Sequence, residues 1–279
     1  MSRFTSFRGL WHRTAIYEPI SSTSASELDM LVLWLQSSCG LYIDIRVPLG
    51  DSITPRELKK CKTFAGFITF DEGQSNLTWT RVIDFRPITG LDVGNIKVLN
   101  DSGTKIQEDG VLPGDDYREI WEIKSSPSQE QTLQSDSIYE FVAELSLKDP
   151  DSDTIRQGYF IIVGDWFAFT LSRTPGRVTD EELTRYFCST EEESVKVGET
   201  SQPVEDVIRD HISAFGQIIA VTKDSPPTWC INHAIKECYE GKSLFDLKEI
   251  LSLLTSCQWK RKYGSAPSAL LAAGVCITE

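Results

Sequence analysis

Between residues 41 and 47 apolar and polar side chains alternate without a break. Leu41, Ile43, Ile45 and Val47 fall on one face of an extended segment, and Tyr42, Asp44 and Arg46 fall on the other. A period of two belongs to a strand whose apolar face must be covered, while the polar face meets water or lines a pocket. Short runs rich in β-branched and aromatic residues recur at 31–36, 63–70, 77–85, 96–99, 118–123, 139–146, 158–172, 211–221 and 228–235. Clusters of Gly, Pro, Asp and Ser separate them, which is the grammar of an antiparallel meander. Asp71-Glu72-Gly73 reads as a hairpin connection, and Pro48-Leu49-Gly50-Asp51 ends a strand because proline cannot donate to a ladder. In the run at 77–85, Trp79, Arg81, Ile83 and Phe85 share one face, with Thr80, Val82, Asp84 and Arg86 opposite.

Two stretches carry helical signals instead, one of period and one of capping. Leu244, Leu247, Ile250, Leu251 and Leu254 predict an amphipathic helix over 243–257, lying across a barrel mouth or presented to a partner. Thr54-Pro55-Arg56-Glu57-Leu58 predicts a short capped helix, a candidate lid. The polar stretches 125–136 and 189–203 read as loops, and 265–279, small and apolar, reads as a tail.

Parts of the chain repeat. Phe7-Arg8-Gly9-Leu10-Trp11 is echoed by Tyr117-Arg118-Glu119-Ile120-Trp121, 110 residues later. Ala65-Gly66-Phe67-Ile68 with Thr78-Trp79 is echoed by Phe215-Gly216-Gln217-Ile218 with Thr228-Trp229, 150 residues later. Self-similarity of this kind signals a duplicated β-rich unit, and 279 residues suit two domains of about 110 to 150 residues. The expected division is residues 1–114, 115–240 and a C-terminal helix and tail at 241–279, in an all-β chain with minor α content.

Composition removes several function classes. With 28 Lys+Arg against 41 Asp+Glu the net charge is −13, which disfavours a nucleic-acid partner held through phosphates. No run approaches the ~20 apolar residues that span a bilayer. The residues around Arg3, Arg8 and Arg13 lack an apolar signal core, so a cytoplasmic, non-membrane protein is expected. Seven cysteines without regular spacing fit reduced thiols. Gly90-Leu91-Asp92-Val93-Gly94 lacks the Lys-Ser/Thr of a phosphate loop, and His12, His211 and His233 have no partners at metal spacing. With no Gly-x-Ser-x-Gly elbow either, neither metal nor cofactor is predicted.

What remains is a set of polar residues on strands amid aromatics. If the polar face of 41–47 points into a barrel, the Tyr42 phenol, Asp44 carboxylate and Arg46 guanidinium converge on a cavity sized for one small ligand. The same alternation arises when polar residues simply face water. Trp34 and Trp79 serve as walls of such a cavity or as core anchors, and His12 and His233 are candidate acids or bases.

Several runs together carry a family resemblance: Trp34-Leu35-Gln36, Leu41 to Pro48, Phe64-Ala65-Gly66, Trp79-Thr80-Arg81, Glu108-Asp109-Gly110, Asp116 to Trp121, and Val163-Gly164-Asp165-Trp166. Over about residues 5–240 the chain resembles the two-domain lipocalin-like proteins whose yeast member is a casein-kinase-interacting protein. The resemblance implies tandem lipocalin-like antiparallel β-barrels. The chain is also similar in class to cofactor-free fungal enzymes such as the hetero-Diels-Alderases of tropolone-sesquiterpenoid biosynthesis. That likeness implies a hydrophobic polyketide- or terpene-derived substrate whose cyclisation or cycloaddition is directed by positioning and hydrogen bonds. Tyr42 and Arg46 are then the expected donors, Asp44 their orienter, and Trp34, Trp79 and Arg81 the substrate contacts. The alternative is a non-catalytic lipocalin-like ligand carrier or kinase-interacting scaffold.

Overall fold

The computed structural model describes residues 7–26, 29–49, 60–70, 75–87, 91–112, 114, 116–124, 138–148, 153–176, 178–188, 211–219, 228–234 and 240–279. The predicted Thr54 helix, the Asp71 hairpin turn and the two polar loops through 125–136 and 189–203 lie outside these residues.

Eight strands form a closed antiparallel barrel: β1 (Gly9–Tyr17), β2 (Met30–Gln36), β3 (Leu41–Pro48), β4 (Lys62–Phe70), β5 (Asn76–Asp84), β6 (Asp92–Val98), β7 (Lys105–Gly110) and β8 (Arg118–Ile123). The ring closes where β8 pairs back onto β1, with Arg13 opposite Trp121. The 110-residue echo therefore joins neighbouring strands of one barrel, and Arg118–Ile123, read as the opening strand of the second unit, completes the first.

The remaining strands are β9 (Glu140–Lys148), β10 (Ile155–Val163), β11 (Trp166–Leu171), β12 (Ile212–Ile219), β13 (Thr228–Ala234), β14 (Gln258–Gly264) and β15 (Ile277–Thr278). Among the described residues they pair as a seven-stranded sheet in the order β13-β12-β11-β10-β9-β14-β15, not as a second closed ring. The single run predicted over 158–172 is two strands, because Gly164 adopts a positive φ of 59° and turns the chain. Among the described residues there are also three helices: α1 (Asp180–Cys188), α2 (Lys248–Ser256) and α3 (Ser268–Ala272). Helix α1 opens on a capping box: Thr179 Oγ1 accepts from the Glu182 amide at 3.2 Å, and Glu182 Oε2 accepts from the Thr179 amide at 2.8 Å. Helix α2 starts five residues later than predicted because Ser243 bridges to Cys230 and the Leu244 amide donates to the Trp229 carbonyl at 2.6 Å. The predicted tail is ordered around Leu270 and Val275, both buried in the second core. No helix among the described residues is long and apolar enough to cross a membrane.

Leu41, Ile43 and Ile45 point out of the barrel into a core shared with Val142, Tyr159, Ile161 and Ala168 of the second sheet. Each contributes roughly 1.5–3 kcal/mol through burial, so the two sheets are packed back to back. The polar set on β3 is thereby forced inward.

A repeated bulge governs both sheets. On β5 the register passes from Ala65↔Ile83 to Gly66↔Arg81, leaving Val82 as an extra residue. On β13 it passes from Phe215↔His233 to Gly216↔Ile231, leaving Asn232 extra. A Cβ on Gly66 would lie 1.9 Å from the Thr80 carbonyl oxygen, and one on Gly216 would lie 2.3 Å from that of Cys230, so only glycine allows this approach. The bulge also corrects the face predicted for 77–85: Trp79 joins the barrel-interior core, whereas Ile83 and Phe85, past Val82, join the core between the sheets.

Candidate functional site

Period-two alternation and the bulge together fill the first barrel with aromatic and charged groups. Trp34 of β2 sits at its centre. Trp11 stacks on it at 5.9 Å, and Trp79 and Trp121 meet it edge-on at 6.1 and 5.7 Å between ring centroids. From β4, the Phe64 ring lies beneath two guanidiniums, Arg81 at 4.2 Å and Arg46 at 5.2 Å from its centroid, a cation–π arrangement.

The charges form a connected array. Arg46 donates to Asp44 through Nε at 3.0 Å and through Nη2 at 3.4 Å, and its Nη1 lies 3.9 Å from Glu119. Glu119 also accepts from Arg13 of β1. Arg81 pairs with Asp84 at 3.2 Å and with Asp92. The pair at three residues' separation on one strand exists because the bulge returns Asp84 to the side of Arg81. Glu108 of β7 stands directly opposite Glu119 of β8 and accepts from the Tyr117 hydroxyl at 3.2 Å.

Burial sets the protonation of these groups. It raises the Asp44 carboxyl despite the adjacent Arg46 guanidinium. It lifts Glu108 well above the usual carboxylate range, with the Glu119 and Asp92 charges adding to the shift. Burial opposes the Arg46 charge, but Asp44 and Glu119 outweigh it and hold the guanidinium firmly protonated. Asp84 is raised by burial against the pull of its Arg86 amide bond and Arg81. The Tyr42 phenol, fully buried, is pushed well up by desolvation and stays a neutral donor.

A small pocket remains between Trp34, Asp44, Arg46, Phe64, Trp79, Asp92, Glu108 and Trp121, with about 10 Å³ of free volume, enough for one water centre. The Trp121 indole N–H on its wall and the Tyr42 hydroxyl have no hydrogen-bond partner among the described residues. Both residues are buried, at 2% and 0% exposure.

The second sheet supplies an internal comparison. Aligning the two bulged glycines makes β13-β12-β11-β10-β9-β14 match β5-β4-β3-β2-β1-β8 strand for strand. Following the registers, Tyr42 corresponds to Phe167, Asp44 to Phe169 and Arg46 to Leu171. Trp34 corresponds to Phe160, Arg81 to Ile231 and Arg13 to Leu145, while Trp79 matches Trp229 and Trp121 matches Trp259. Every charge of this set is replaced by an apolar group, and the second interior is a continuous hydrophobic core closed by Leu244, Ile250, Leu254 and Leu270. The architecture thus has no need of interior charge, and buried ion pairs contribute little net stability against well-packed apolar residues.

All six residues singled out by the sequence reading, Tyr42, Asp44, Arg46, Trp34, Trp79 and Arg81, lie on the barrel's interior side, and Asp44, Arg46, Trp34 and Trp79 line the pocket itself. Sequence reading missed Arg13, Asp92, Glu108, Glu119 and the pocket role of Trp121. Lys105–Gly110 has a single apolar residue, Ile106, and gave no strand signal, although Gln107 and Asp109 alternate with Ile106 and Glu108. His12 and His233 lie outside this array. Burial lowers His12, and holds His233 down to about 4. Among the described residues no three His, Cys, Asp or Glu side chains cluster as a metal site.

The family model described as Protein HRI1 matches residues 18–223. No curated protein and no solved structure matches the chain.

Proposed function

The chain belongs to the HRI1 family, and from that premise we propose that its first barrel is a binding site for a small polar molecule with a flat apolar flank. The observation that carries this reading is the contrast between the two interiors: charges at Asp44, Arg46 and Arg81 stand where the second sheet has Phe169, Leu171 and Ile231. A ligand's hydrogen-bond donors would meet Asp44 and Asp92, an acceptor would meet the Trp121 indole N–H, and its flank would lie against Trp34 and Trp79. The second sheet, filled throughout, serves as the rigid backing that holds β3 and β4 in place.

The cyclisation reading keeps its residues together, with Tyr42 and Arg46 as donors, Asp44 as orienter and Trp34, Trp79 and Arg81 as walls. A polycyclic intermediate nevertheless needs several hundred Å³, and about 10 Å³ is free, so either ligand requires side chains lining the pocket to move, and a small molecule requires far less movement than such a substrate. Native mass spectrometry of the protein from its own host, followed by denaturing extraction, tests the proposal. A stoichiometric small polar molecule that is lost in Arg46→Met, with the fold retained, is expected. A large terpenoid or polyketide would restore the cyclase reading, and an empty protein would remove both.

A further inference from the structure

We propose that Lys62 is a nucleophilic amine at the mouth of the barrel that condenses with small anionic aldehydes or ketones, the neighbouring guanidiniums holding the anion. Lys62 is the first residue of β4, directly opposite Arg46 of β3. By alternation it shares the lumen face with Phe64, two residues on. Arg81 reaches this end from β5 and stacks on Phe64. Arg86 follows past the bulge, its Nε donating to the Cys61 carbonyl at 3.3 Å.

Each guanidinium already has partners, Arg46 in Asp44 and Glu119, Arg81 in Asp84 and Asp92, Arg86 in the Cys61 carbonyl, but a guanidinium carries five N–H donors, so these contacts leave Arg46 and Arg81 donors for an anion. The Lys62 ammonium has no ion pair or hydrogen bond among the described residues. Its surroundings are therefore cationic, and the carboxylates nearest to it are committed elsewhere. Burial, then Arg46, Arg86 and Arg81, with Glu119 opposing, hold the amine down to about 8. At neutral pH roughly a tenth of it is then free base, on the order of a few hundred times the fraction of an ordinary lysine. Desolvation beside other cations is a known way to activate a lysine toward carbonyls.

In the proposed step the free Lys62 amine adds to the carbonyl carbon and forms a C–N bond. The carbonyl oxygen takes up both protons of that nitrogen and leaves as water, giving an imine with no exchange of electrons. The arginines favour a substrate that carries a carboxylate or phosphate beside its carbonyl. The site shares Arg46 and Arg81 with the lumen, but its readout is the alkylation of one amine and requires no lumen ligand.

The test is reaction with glyoxylate in the presence of cyanoborohydride, with the site and initial rate of reductive alkylation mapped by peptide mass spectrometry. Lys62 is expected to react at least tenfold faster than Lys60 or Lys97, with a rate midpoint near pH 8. The preference should shrink with acetaldehyde, which lacks the carboxylate. Lys62→Gln should delete the fast site without lowering the melting temperature, and should raise it, because the desolvated ammonium among cations opposes folding at neutral pH. Alkylation of Lys62 no faster than that of Lys60 would overturn the proposal, and equal preference with acetaldehyde would overturn the role of the arginines.

Discussion

The hydroxyl of Thr63 donates to the hydroxyl of Ser213 at 2.9 Å, and the two residues are 150 positions apart in the chain. Gly66 and Gly216, at the two bulges, share that separation, as do the carbonyls of Thr80 and Cys230 that each would strike. Equivalent residues of the two sheets therefore meet each other across the core between them, as they do at a two-fold axis. The chain packs two versions of one six-strand unit face to face, like an isologous dimer joined in one polypeptide.

Because both bulges depend on a missing Cβ, Gly66→Ala and Gly216→Ala should each destabilise the protein. A methyl 1.9 Å from the Thr80 oxygen or 2.3 Å from that of Cys230 forces backbone movement, which costs about 1–3 kcal/mol or more. At this size that is a fall of several degrees in Tm. Gly103→Ala, with nothing within 4 Å of its Cβ but a φ of +69°, should cost only the backbone strain. Thermal denaturation of the three variants separates contact from strain.

The contrast between the interiors can be exchanged experimentally. Arg46→Leu alone strands Asp44, while Glu119 keeps Arg13, and should destabilise by ~3–5 kcal/mol, the usual result of breaking a buried pair. The double variant Asp44→Phe with Arg46→Leu copies Phe169 and Leu171 and should recover at least half of that loss while abolishing ligand retention. Urea denaturation gives both numbers. A double variant as unstable as the single one would mean that the charges are structural.

The carboxyl of Glu108, facing Glu119 inside the barrel, gives a pH signature. Its folded pKa is raised by burial and by Glu119, so between 4.5 and the folded value the folded state binds more protons than the unfolded one. Stability from this group is complete below about 4.5 and declines as pH rises, by about 1.4 kcal/mol per unit, until the folded group ionises. Glu108→Gln imitates the protonated form and keeps an acceptor for Tyr117. It should match wild type near pH 4.5 and exceed it at pH 8 in denaturant unfolding.

Much of this interior was legible from the chain because β3 alternates so cleanly. Once Leu41, Ile43 and Ile45 needed cover, Tyr42, Asp44 and Arg46 had one other side to occupy, and the back-to-back packing makes that side the lumen. The bulge was not legible: an extra Val82 reverses the faces of Ile83 and Asp84, and nothing in a local pattern announces a residue left out of register. The acids opposite were hidden for a related reason. Glu108 and Glu119 look like surface residues on short polar strands, and only closure of β8 onto β1 turns them inward. The 150-residue echo marked a true correspondence, whereas the 110-residue echo marked two strands that pair.

The hydroxyls at the pseudo-axis continue into a buried histidine, and this chain predicts acid sensitivity. Ser213 donates to Thr170 at 2.6 Å and lies 3.1 Å from His211 Nε2, with the Phe85 ring 5.4 Å from the imidazole. Burial, then the charges of Arg173 and Arg156, push His211 down to about 3, so it stays neutral in the folded protein. Unfolded, it titrates near 6.5; between these values the unfolded state binds the extra proton, so stability falls as pH drops from 6.5 toward 3. Between pH 7 and pH 5 the loss is about 2 kcal/mol. In His211→Gln, which keeps a polar partner for Ser213, the drop over that interval should be smaller than in wild type by this amount. The raised carboxyls of Asp44, Asp84 and Glu108 act in the opposite direction, but they are common to both proteins and cancel in the difference. Urea midpoints at the two pH values decide it: an identical drop in both proteins would show that His211 takes up its proton without opening the interface.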